Sequence, residues 1–130
     1  MGGYAFGKTV KGTVETVRPK VEQALKEQGF GVLTEIDVKA TMKKKLDVDY
    51  SPYLILGACN PQLAHRALMV ETDIGVLLPC NVVIYQTDED HTRVAIFDPK
   101  TGMEMAGNPK LDEIGAEAKR RLEAVLDAVH

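Results

Sequence analysis

The sequence predicts an α+β fold: one sheet of about five strands, mixed or antiparallel, with helices packed on one face. Three observations lead there. Short runs of apolar residues alternate with period two, and the first and last helical segments each carry one apolar stripe. Tyr53 to Ala58 is apolar on both faces, which suits a strand covered on two sides. Two helices with one stripe each need a common sheet face to cover.

The elements follow in order. Tyr4, Phe6, Lys8 and Val10 alternate with Ala5, Gly7 and Thr9, the period of a strand with one buried face; Gly12-Thr13 ends it and offers a cap. Val14, Val17, Val21, Ala24 and Leu25 then recur at helical spacing up to Gly29, a residue suited to the left-handed C-terminal position. Pro19 interrupts this pattern, so the helix either begins at Thr16 or bends at Pro19. Gly31 to Ile36 reads as a strand with Val32, Thr34 and Ile36 on one face, and Asp37 can cap a short helix over 38–47. In that helix Val38, Met42 and Leu46 fall four apart, while Lys43, Lys44 and Lys45 occupy a solvated face near its C-terminus. Val82 to Thr87 and Thr92 to Phe97 are strands joined by Asp88-Glu89-Asp90-His91, a hairpin-length link. Asp98 to Gly102 is a turn leading into one helical turn through Met105, with Asp98 as the turn residue. Asn108-Pro109 opens the last helix, whose stripe is Leu111, Ile114, Ala118, Leu122, Val125 and Val129.

Size and charge narrow the function. The 130 residues suit a single domain over 1–130, and the formal charge of -3, from 16 basic and 19 acidic residues, excludes a general nucleic-acid binder. No apolar run approaches the ~20 residues that span a bilayer and the N-terminus lacks a leader pattern, so a soluble, cytoplasmic protein with no membrane partner is expected. Gly2 invites a myristoylation reading, which Phe6 at the position requiring Ser or Thr discards.

The chemistry-bearing residues gather between Pro52 and Asn81, which hold both cysteines. Cys59 stands where the apolar strand stops, immediately before Asn60-Pro61, a cap-and-proline helix start. Pro79-Cys80-Asn81 introduces the next strand, so the stretch begins and ends with a Cys-Asn pair. A thiol beside a helix N-terminus meets aligned N–H dipoles that favour the thiolate, which would make Cys59 reactive, with Cys80 as its partner if the strands are neighbours. Such a pair could cycle to a disulfide, carry a persulfide or hold a soft metal ion. Against this stands the plain role of cysteine as a small buried side chain filling tight space, and of Asn60 as a cap. His65 and Met69 share a helix face with Gln62 and Arg66, an arrangement more typical of an oligomer contact than of a metal site. No G-x-S-x-G, P-loop, H-E-x-x-H or G-x-G-x-x-G occurs, and no cofactor or resident metal is expected.

Tyr-Leu-Ile-Leu-Gly-Ala-Cys-Asn-Pro at 53–61, Ala64-His65-Arg66-Ala67-Leu68, Ile-Gly-Val-Leu-Leu-Pro-Cys-Asn-Val at 74–82, Asp98-Pro99 and the segment Glu27 to Val32 together resemble the bacterial and archaeal family called domain of unknown function 302. The resemblance covers essentially the whole chain. It implies a compact α+β domain similar to the TATA-box-binding-protein-like arrangement, a curved sheet with helices on one face, often a dimer; about activity it implies nothing. Three expectations result: a small-molecule or metal-binding module sited at Cys59, Asn60, Cys80, Asn81 and His65; a thiol-dependent enzyme or sulfur carrier using Cys59 and Cys80; or a homodimer of purely structural role.

Overall fold

The computed structural model describes residues 3–130; Met1 and Gly2, on which the myristoylation reading turns, lie outside it. Its elements in chain order are β1 (Ala5–Lys11), α1 (Val14–Glu27), β2 (Gly31–Asp37), α2 (Val38–Leu46), β3 (Tyr53–Cys59) and α3 (Pro61–Val70). A 3₁₀ turn over Thr72–Leu77, β4 (Cys80–Asp88), β5 (His91–Phe97), α4 (Pro99–Met105), a second 3₁₀ turn over Pro109–Leu111 and α5 (Asp112–Ala128) complete it. The five strands lie in the order β1-β5-β4-β3-β2. Every neighbouring pair is antiparallel. The sheet is therefore antiparallel throughout rather than mixed, because each link from β2 to β5 reverses the chain and β1 joins the far edge against β5.

Pleating sorts the side chains. Val10, Leu54, Leu56, Ala58, Val82, Ile84, Val94 and Ile96 form the buried face, against which α1 sets Val17, Val21 and Leu25 and α5 sets Leu122 and Val125. These two helices are the amphipathic pair expected to share one face. A second apolar cluster, Leu63, Ala67, Ile74, Met103, Leu111, Ile114 and Ala118, fills the space among α3, α4 and α5 beyond the end of the sheet. The predicted stripe of the last helix is split between the clusters: Leu111, Ile114 and Ala118 in the second, Leu122, Val125 and Val129 in the first.

Several local expectations need correction. The first helix starts at Val14 and runs on past Pro19, with Thr13 as its cap; Thr13 and Thr16 form a capping box, so Thr16 lies inside the first turn. In β2 the pairing slips between Val32 and Thr34. Leu33 is the extra residue of a bulge, which leaves Val32 packed against the core while Ile36, opposite Ile55, is exposed. The alternation expected over Val32, Thr34 and Ile36 therefore fails. The stripe of α2 is only partly covered: Val38 and Met42 are half-buried and Leu46 is exposed. In β3 only one face is covered: Leu54, Leu56 and Ala58 are buried, whereas Tyr53 and Ile55 are half-exposed on the open side. The hairpin is tighter than expected, because Asp88 and His91 still pair and only Glu89-Asp90 turn.

Candidate functional site

The cysteines reach their places through strand register and one helix cap. Ala58 of β3 pairs with Cys80 at the start of β4, so Cys59 lies one residue beyond that pair at the end of the sheet. Asn60 then caps α3: its Oδ1 accepts a hydrogen bond from the Leu63 amide at 3.1 Å, and Pro61 occupies the first helical position. The left-handed Gly29 (φ 82°) passes close by, where a Cβ would stand 3.0 Å from Asn60 Nδ2. Asn60 is thus buried at 6% exposure and fixed on two sides, by its cap and by this turn. The Leu78–Pro79 peptide that precedes Cys80 is cis.

Cys59, Asn60 and Cys80 line one small cavity of about 40 Å³, together with Phe30, Ala58, Leu63, Ala64, Ala67, Leu78 and Pro79. Its far wall comes from α4 and α5, through Pro99, Met103, Ile114, Gly115 and Ala118. The cavity lies where the two apolar clusters meet, with Ala58 and Cys80 from one and Leu63, Met103 and Ala118 from the other. Packing at this seam is close: a Cβ on Gly115 would lie 2.9 Å from Met103 Cβ and 2.9 Å from the Pro99 carbonyl oxygen. No local pattern marks the α4 and α5 wall in advance, apart from Gly115 beside the helical stripe of α5.

Both thiols are shifted upward. Burial raises Cys59, and burial together with the nearby Cys59 pushes Cys80 up to about 11. Burial thus works against the thiolate that the N-terminus of α3 would favour at Cys59. No disulfide joins the two.

Asn81 and His65 do not join this group. Adjacent strand residues point to opposite faces, so Cys80 faces the helices while Asn81, opposite Gly57, lies on the open face. His65 is exposed on α3 and does not line the cavity. Among the described residues no cluster of three or more His, Cys, Asp or Glu side chains could hold a metal ion. None of their helices is long and apolar enough to cross a membrane.

A separate charged contact anchors the end of β5. Asp98, 6% exposed, accepts hydrogen bonds from the backbone amides of Lys100 at 2.9 Å and Thr101 at 3.3 Å, capping α4. Its other oxygen meets Lys119 Nζ of α5 at 2.9 Å. The predicted turn residue is thus also the link between α4 and α5.

Comparison with curated proteins found no match. Among solved structures, the crystal structure of an uncharacterized conserved protein DUF302 from Bacillus stearothermophilus superposes with a TM-score of 0.90 at 32% sequence identity, covering 99% of this chain and 100% of that one. The family model for Domain of unknown function DUF302 matches residues 6–129. Sequence and fold agree, and the chain belongs to the DUF302 family.

Proposed function

We propose that this protein is a soluble, cytoplasmic small-molecule-binding module without catalysis of its own, which takes a small apolar group into the cavity beside Cys59, Asn60 and Cys80. The observation that carries this reading is the cavity itself: Cys59, Asn60 and Cys80 on a wall that is otherwise apolar, at a seam between two packed clusters. Interiors normally close such gaps, because unfilled space forfeits dispersion contacts. Cys59 is partly exposed and Cys80 buried, so the partly exposed Cys59, Ala64, Leu78 and Pro79 form the solvent side. In a reducing compartment both sulfurs stay as thiols, soft and weakly polar partners for an apolar group.

The thiol-enzyme alternative has proximity in its favour, since Cys80 senses the charge of Cys59, but the upward shift of both groups works against a nucleophile or a thiolate metal ligand at neutral pH. Titration with the 1-alkanols from ethanol to 1-pentanol, followed by amide chemical shifts, tests the binding reading. Saturable shifts at Ala58, Cys80, Met103 and Gly115, lost in Ala64→Leu with the fold retained, are expected. Shifts scattered over the surface, or persisting in Ala64→Leu, would falsify it.

Homodimer formation has its own support in exposed apolar side chains on and beside the edge strand β2: Leu33 at 67%, Ile36, Leu46 at 66%, Val48 and Tyr50. Sedimentation equilibrium should show a dimer that Leu33→Glu converts to monomer; a monomer at all concentrations removes this element.

A further inference from the structure

The open face of the sheet carries a second concavity, independent of the thiol cavity. It has a volume of about 370 Å³, within the range of ligand pockets, and its lining includes Tyr4, Tyr53, Asn81, Tyr85, Arg93 and Ala95. Strand register builds it in rows. Tyr53 pairs with Tyr85 and Tyr85 with Arg93, forming one ridge across β3, β4 and β5. The next row on the same face is Ile55, Val83, Ala95 and Gly7, whose side chains shorten toward β1 to make a low floor. Gly7 cannot grow, since a Cβ there would lie 2.3 Å from the Val94 carbonyl oxygen. Asn81, four residues before Tyr85, lies across the floor at a backbone separation of roughly 13 Å.

The tyrosines are gathered here. Tyr53 and Tyr85 stack at 5.0 Å with their planes 8° apart, and Tyr50 meets Tyr53 edge-on at 6.3 Å. With Tyr4 in the lining, all four tyrosines of the chain belong to this face or its border. The Tyr53 hydroxyl is held above its usual range by burial and then by the neighbouring Tyr85, Tyr50 and Tyr4. Arg93 has no carboxylate within 4.0 Å among the described residues, in a chain whose net charge is -3. The nearest acidic residue of the β4–β5 ladder, Asp88, is engaged by His91 at 2.9 Å.

We propose that this face binds a small planar molecule bearing one carboxylate, its ring lying over Val83 and Ala95 against Tyr85, its carboxylate on Arg93 and a polar edge at Asn81. The occupant follows from shape and charge. An unpaired guanidinium offers a planar fork of donors that a carboxylate matches with two hydrogen bonds, and flat aromatic walls favour a flat ring. A second copy packed on the same face would bring another Arg93, and the carboxylate that this face carries beside the ridge, Asp88, is already held by His91.

The test uses 2-naphthoate as the probe, with 2-naphthamide as the neutral control and acetate as the anion without a ring, each titrated into the full chain and followed by amide shifts. Naphthoate is expected to bind with a Kd on the order of 1 mM or below. Its shifts should centre on Ala5, Val83, Tyr85 and Ala95, and naphthamide and acetate should bind at least about tenfold more weakly. Arg93→Gln should weaken naphthoate by about tenfold, and Tyr85→Leu should weaken it while leaving the circular dichroism spectrum unchanged. Equal binding of naphthoate and naphthamide, insensitivity to Arg93→Gln, or shifts centred on the thiol cavity would each overturn the proposal. So would protection of the same amides by self-association in the absence of probe, which would make a second copy the occupant.

Discussion

Replacing Asp98 with Asn removes one charge while keeping an oxygen able to accept from the Lys100 and Thr101 amides, so it isolates the link to Lys119. The Asp98 side chain is 9% exposed and Lys119 is 31% exposed. A charge-assisted hydrogen bond in a buried setting contributes about 1.5–3 kcal/mol, and solvent at the Lys119 end screens part of that, so a loss of about 1–2 kcal/mol is expected. Asp98→Ala also removes the cap of α4 and should cost about 2–4 kcal/mol in all. The pH dependence has a definite sign. Burial alone would raise the Asp98 carboxyl, but Lys119 and the two amides outweigh it and hold the group below its usual range. The stabilisation is therefore fully present above the unfolded value of about 3.9 and is lost as pH falls through the lower folded value. Urea unfolding followed by circular dichroism at pH 7 and again near pH 3 measures both effects. A gap between wild type and Asp98→Asn below about 0.5 kcal/mol at pH 7, or one that fails to narrow in acid, would refute the reasoning.

Three further outcomes are expected. In the folded protein Cys59 should alkylate with iodoacetamide at a midpoint above the ordinary thiol value of about 8.5, and Cys80 should resist until the chain unfolds; mass spectrometry of peptides from pulse-labelled protein reads both, and a Cys59 midpoint near neutrality contradicts the burial argument. Gly115→Ala should destabilise by about 1–3 kcal/mol despite the better helix propensity of alanine, because α4 must move away from α5; a gain in midpoint would mean that the seam is slack. Pro19 is exposed in the interior of α1, so Pro19→Ala should restore a backbone donor to the Glu15 carbonyl and stabilise by about 1 kcal/mol or more, seen as a rise of roughly 3–5 °C in Tm per kcal/mol; no rise would show that the helix has already relaxed around the ring.

What could be read in advance was whatever a few consecutive residues decide. Thr13, Asp37 and Asn60 are caps because each precedes a helical pattern with an oxygen placed for its first amides, and all three serve so; Asp98, read as a turn residue, caps α4 as well. The α5 stripe is legible for the same reason. Features set by pairing between distant strands were not. The bulge at Leu33 arises only from how β2 meets β3, and the pairing of Ala58 with Cys80 that brings both cysteines to one cavity depends on a register no local pattern states. The separation of Asn81 from Cys80 was legible, since successive residues of any strand face opposite ways, and treating the two Cys-Asn pairs as one unit obscured it. The tyrosine ridge was hidden because Tyr53 and Tyr85 are thirty-two positions apart and meet only through β3 and β4.

The bulge in β2 has a consequence for how the molecule behaves in a crowded solution. An open sheet has two rims, and a straight rim of unsatisfied amides and carbonyls is a template on which another chain can add a strand. At Leu33 that template is interrupted: the backbone kinks, its spacing falls out of step with a regular ladder, and α2 begins immediately at its end. The kink guards against runaway strand addition on this side, leaving greasy side chains, rather than backbone, as the means by which this rim can meet a neighbour.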